Sequence, residues 1–154
     1  MKALTTVFLF LITVPLGSAE YGKKEATVAN RGTGTFEVKL APLTPYNRED
    51  KTLGRFSIDK EFHGDLDATS KGEMLSAGNP TTSGGYVAIE RVTGKLHGHS
   101  GSFALQHSAT MENGKPHLNI FVVPGSSGEL SGIAGTMDII IEAGNHSYVF
   151  TYTL

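Results

Sequence analysis

Two strand-like runs, Tyr86–Thr93 and Ser102–Met111, flank a segment punctuated by Gly94, Gly98 and Gly101, and this pair constrains the chain more than any other stretch. Aromatic and β-branched residues suit a pleated, half-buried surface, and glycine supplies the positive-φ corners between strands. Side chains alternate between faces along a strand, so one of the adjacent residues Glu90 and Arg91 points to the better-covered side. A charge so placed requires a partner or a wet cavity.

The same period of two recurs through the chain. Phe36, Val38 and Leu40 alternate with Thr35, Glu37 and Lys39 from Gly34 onward, the pattern of a half-buried strand. Arg55 to Ala68 reads as one further strand, with Phe56, Ile58, Phe62, Leu66 and Ala68 in phase and Gly64 as a bend or bulge. Ser70 to Ala77 is a short segment, and Asn79 to Gly85 is a loop by composition. Asn113-Gly114 is a hairpin dipeptide, and His117 to Val123 is a strand with apolar residues on both faces. Pro124 to Gly128 reads as a turn, and Thr136–Glu142 with His146–Leu154 as a closing hairpin around Gly144-Asn145. No segment after the first residues shows a useful helical period. Regular strands between Gly-rich turns indicate an all-β fold, and their number favours a single antiparallel barrel.

The beginning of the chain has a different character. Lys2, the apolar run around Val7–Val14 and Leu16-Gly17-Ser18-Ala19 have the layout of a secretory signal peptide. The run is interrupted by Thr5, Thr6, Thr13 and Pro15, and falls short of the roughly 20 apolar residues of a membrane span. The expected organisation is a signal peptide over 1–19, a flexible lead-in over 20–33 and a barrel domain over 34–154. Export to the periplasm or the medium follows, with cleavage after Ala19 and no membrane attachment thereafter. The chain has no cysteine, so the domain relies on its core and ladders alone. A net charge of −2 with no basic block argues against nucleic acid as a partner.

Several linked motifs resemble one bacterial family. These are Phe62–Leu66, Gly72–Leu75, Gly85–Gly94, Gly101–His107 and Val123–Ser126, followed by His146-Ser147-Tyr148 and Tyr152. Together they resemble the family called domain of unknown function 3224. The resemblance implies an antiparallel barrel similar to that of the allene oxide cyclases, and little about activity. No cyclase motif is matched residue by residue, so no catalytic residue carries over.

The candidate ligand-binding residues are Glu73, Tyr86, Glu90, Gln106, His107, His146 and Tyr148, with Tyr152 beside them. Small barrels either fill their interior or leave room for one small ligand, which a few inward polar groups then orient. Tyr86, Ala88 and Glu90 share a face, as do Ser102, Ala104 and Gln106, and the small members leave space beside Glu90 and Gln106. His107 has the opposite parity from Gln106, so the two do not line one cavity unless a bulge intervenes. An equally direct alternative pairs Glu90 with a cation on a neighbouring strand and Gln106 with backbone, since buried polar groups are hydrogen-bonded whether catalytic or not.

His97-Gly98-His99 invites a metal reading, but it is Gly-rich and would need a third ligand from His63, His107 or His117. Neither a metal nor a cofactor is expected. Glu73 with Glu90 would do acid–base work only inside a shared cavity. The expected function is binding of a small, mainly apolar molecule. A cofactor-independent isomerase or cyclase and a filled-core structural module, with self-association left open, are the alternatives.

Overall fold

The computed structural model describes residues 28–154, so the expected leader, and the lead-in as far as residue 27, lie outside the described residues. Eight strands follow: β1 (Asn30–Leu43), β2 (Leu53–Gly64), β3 (Leu66–Asn79), β4 (Ser83–Leu96), β5 (His99–Glu112), β6 (Lys115–Gly128), β7 (Ala134–Glu142) and β8 (Asn145–Thr153). Each pairs antiparallel with its sequence neighbours, and β1 pairs with β8 to close a barrel. The β6–β7 seam is the weak one, with Phe121 opposite Thr136 as its one registered pair.

The hairpins explain the order. His97-Gly98, Asn113-Gly114 and Ala143-Gly144 each place two successive residues at positive φ. That is the two-residue turn whose twist matches the strands it joins. Ala143 is the costly member, because an alanine side chain disfavours this region.

Several boundaries differ from those read in the sequence; Asn79 and Ser83–Gly85, read as loop, already pair in the β3–β4 ladder. Asn30–Thr33 already pair with β8, so β1 begins before Gly34. Arg55–Ala68 is two strands rather than one. The chain reverses at Gly64 (φ 108) and Asp65, and Thr33 N–H donates to the Asp65 carboxylate at 2.7 Å. This carboxylate titrates below its usual range, chiefly because of that backbone hydrogen bond. The two-residue corner hides in the alternation because apolar residues stand in phase on both sides of it. Ser70–Ala77 belongs to the long strand β3. Pro124–Ser126 is a bulge inside β6, not a turn, since Ser102 faces Ser127 whereas Ala104 faces Val123. A bulge accepts proline because the missing N–H has no ladder partner to lose. The chain reverses later, at Glu129–Ile133.

The core lies at one end of the barrel. Phe62, Leu66, Leu96, Phe103 and Phe150 are at most 1% exposed, and Leu130 and Ile133 of the β6–β7 connection are buried over them. Phe103 stacks on Phe150 at 5.5 Å, and the Tyr148 ring meets Phe62 edge-on at 5.7 Å. The connection is fastened to the start of β5 by two hydrogen bonds, Glu129 N–H to the Ser100 carbonyl at 2.8 Å and Ser100 N–H to the Glu129 carboxylate at 2.7 Å. This end is plugged.

Candidate functional site

Halfway up the barrel the inward faces of four strands carry polar side chains. β2 contributes Lys60, β3 Ser70, β4 Glu90 and β5 His107, all buried. One Glu90 oxygen, Oε1, accepts from Lys60 Nζ at 2.7 Å and from His107 Nε2 at 2.8 Å. The other, Oε2, accepts from the Ser70 hydroxyl. Burial alone would push the Glu90 carboxyl upward. The hydrogen bond from His107 and the charge and hydrogen bonds of Lys60 and Ser70 outweigh it and bring the carboxyl down to about 2. Glu90 is therefore an anion at neutral pH. An ionised carboxylate only accepts, so His107 Nε2 carries the proton it shares with Glu90. Lys60 also lies 5.0 Å from the centre of the Phe36 ring and 5.6 Å from that of Phe62, which stabilises its charge from below.

The strand pairing makes room for this cluster. Gly72 stands directly opposite Glu90, and a side chain there would begin 2.7 Å from Glu90 Cβ. Glycine at 72 lets Glu90 turn inward.

Above the cluster the interior is open. A cavity of about 620 Å³ extends to the end where the β1–β2 loop and the β3–β4 and β5–β6 hairpins lie. Its walls include Leu40, Phe56, Met74, Ala109, Met111 and Leu118, with Ser76 and Tyr86 as inward hydroxyls. The volume falls within the range of small-molecule sites. Burial, then the charge of Glu90, raises the Tyr86 phenol above its usual pKa, so it remains a protonated donor. Among the described residues the Tyr86 hydroxyl has no hydrogen-bond partner, while every fully enclosed side-chain nitrogen and oxygen has one.

The candidate residues divide by position. Tyr86 lines the cavity, and Glu90 and His107 join in the cluster beneath it. Gln106 and Glu73 are on the outer wall. Leu105, not Gln106, is opposite Glu90, and the β4–β5 register is continuous, so parity sends Gln106 outward. Glu73 pairs there with Arg55 at 2.7 Å, so Glu73 and Glu90 share no cavity. The space that Ser102 and Ala104 were expected to leave beside Glu90 does not arise, since Phe103 and Leu105 occupy that face.

His146 packs on Phe36 at 5.1 Å and is not part of the cavity wall. Tyr148 is a structural residue at the plugged end. Its hydroxyl accepts from Leu66 N–H at 2.9 Å and donates to the His63 carbonyl at 3.4 Å. Tyr152 likewise points to that end and meets His97 Nδ1 at 2.6 Å.

His97 and His99 bracket a turn, and neither converges with His63, His107 or His117. Among the described residues the metal-ligand types that do converge are Glu37, Glu61 and His63, all exposed on the outer wall. The sequence reading missed Lys60 and Ser70. Lys60 carries a visible signal, because it stands in phase with Phe56, Ile58 and Phe62 on a face that is otherwise apolar.

Fold and site together define a class: an eight-stranded antiparallel barrel, filled at one end and hollow at the other, with a buried ion-paired layer between. Residues 32–152 match the family model described as protein of unknown function (DUF3224), and the chain belongs to that family. A solved structure of a DUF3224-family protein of unknown function from Shewanella oneidensis MR-1 is similar, with 47% sequence identity and a TM-score of 0.78. The match covers 82% of this chain and 98% of that one. No curated protein matches the chain.

Proposed function

We propose that this protein binds a small, mainly apolar molecule in the open half of its barrel. The observation that carries the reading is the cavity of about 620 Å³, lined mainly by aliphatic, aromatic and methionine side chains, with Lys51, Thr52, Thr110 and His117 also on its wall, and reaching the barrel mouth. Pockets of this kind take most of their affinity from apolar area and their orientation from a few polar groups. The ion-paired layer beneath supports binding over catalysis. Glu90 is saturated by three partners and held ionised, which suits neither a general acid nor a free base. The leader-like residues 1–19 support export, and the binding would then take place in the periplasm or the medium.

Native mass spectrometry of the protein isolated gently from its own cells tests the reading. An added mass that leaves on denaturation, and that Ala109→Phe abolishes without loss of fold, is the expected result. A chain that isolates without added mass and takes up no apolar probe in titration contradicts it. Loss of residues 1–19 in the same spectrum is the expected sign of export.

A further inference from the structure

The ionisable residues on the cavity wall are of one kind. They are Lys51, Tyr86 and His117, and no aspartate or glutamate stands among the lining residues. This runs against the balance of the chain, whose net charge is −2. Tyr86 stays a neutral phenol. His117 lies on the outward parity of β6, opposite Thr110 and next to the inward Leu118. The permanent charge on the wall is the Lys51 ammonium.

That ammonium is held in place but not neutralised. Lys51 Nζ donates to the Arg48 carbonyl at 2.6 Å, a tie within the β1–β2 loop that leaves two of its three donors for other acceptors. Among the described residues Lys51 has no ion-pair partner. Glu49 and Asp50 precede it without lining the cavity, and the Asp50 carboxylate accepts from the Thr52 N–H at 2.9 Å and the Thr52 hydroxyl at 2.7 Å. Glu112, at the same end of the barrel, stands opposite Lys115 in the β5–β6 hairpin on its outward parity. Beneath the cavity the Glu90 anion is matched by Lys60 at 2.7 Å. One cation at the cavity is thus left without an anion.

Resting on the binding reading above, we propose that the occupant is an amphipathic monoanion, with its hydrocarbon body inside the barrel and one carboxylate paired with Lys51 on the β1–β2 side of the mouth. The apolar walls select the body, and a few placed polar groups fix orientation in such a site. The single uncompensated ammonium selects the sign and number of charges on the head. A phosphate dianion would need a second cation, and Lys51 is the one permanent charge on the wall.

The test is a titration of the full chain at pH 7 with four probes of equal chain length: an alkyl carboxylate, the primary alcohol, the alkyl trimethylammonium and the alkyl phosphate. The carboxylate is expected to bind about fivefold more tightly than the alcohol, the upper scale of one ion pair at a solvated rim. The trimethylammonium is expected to bind more weakly than either. Lys51→Met is expected to remove the advantage of the carboxylate and leave alcohol affinity unchanged, which also shows that the variant keeps its cavity. Lys51→Arg is expected to retain the advantage. Equal binding of carboxylate and alcohol by the wild type, or an advantage that survives in Lys51→Met, overturns the head-group assignment and leaves the binding reading standing. Tightest binding by the phosphate overturns the single charge. Failure of all four probes overturns the binding reading itself, and the head-group inference falls with it.

Discussion

The two ends of this barrel are built from the same eight strands with the same alternation, yet one is solid and the other hollow. At the plugged end Phe103, Phe150, Leu66 and Leu105 are fully buried, and Leu130 descends from the β6–β7 connection to cover them. At the open end Met74, Ala109 and Leu118 face the interior with nothing laid across them. The difference comes from the connections, because the strands are alike. A connection that carries Leu130 and Ile133 becomes a stopper, whereas tight turns such as Asn113-Gly114 and Ala143-Gly144 contribute no side chain to the interior. An eight-stranded barrel is just wide enough to go either way.

The largest effects are expected where the two halves meet. Glu90→Gln leaves the Lys60 ammonium buried beside a neutral amide, and should cost about 3–5 kcal/mol in chemical denaturation. Lys60→Met combined with Glu90→Gln should recover much of that loss, since no buried charge then lacks its partner. The same carboxylate predicts an acid response. Glu90 titrates at about 2 in the folded protein against an ordinary 4.5, so the unfolded chain binds the proton first. Its stabilisation is complete above about pH 4.5 and is lost as pH falls towards about 2. A denaturation series over that window should show the loss in the wild type and a flatter profile in Glu90→Gln. Equal slopes would mean that the layer is not ion-paired in solution.

A cavity-forming change in the solid half is the next test. Phe103→Ala should cost about 3–5 kcal/mol, because the stacked Phe150 and the plug cannot close the space. The matching change in the hollow half, Met74→Ala, should cost clearly less, since its side chain already borders open volume. Similar costs at both positions would break the distinction between the halves. Ala109→Phe should alter stability little and remove binding, which sharpens the same contrast from the other side. The smallest effect is expected on the outer wall. Glu73→Ala breaks an ion pair whose side chains are 39% and 54% exposed, and should cost less than about 1 kcal/mol.

Much of this was legible in the residues. The alternation of Phe36, Val38 and Leu40, and the Asn113-Gly114 turn, announce strands and a hairpin because side-chain period and positive φ are local properties. The placement of Glu90 on a covered face is legible for the same reason. Lys60 was equally available, as the odd charge in phase with Phe56, Ile58 and Phe62, yet its partner lies two strands away across β3. The Gly64–Asp65 corner was not legible, since the apolar phase runs on through it. Neither was the Pro124–Ser126 bulge, whose composition is that of a turn until β5 is set against it.

The sequence by itself therefore determined the strands, most of the hairpins, the barrel class and the need of Glu90 for a partner, all consequences of interactions between near neighbours. Only the tertiary structure decided which face of each strand is the inside, which cation answers Glu90, and which end stays open. Those depend on register between distant segments and on where one loop's Leu130 comes to rest. A one-residue shift in register would exchange His107 for Gln106 and with it the whole lining of the site.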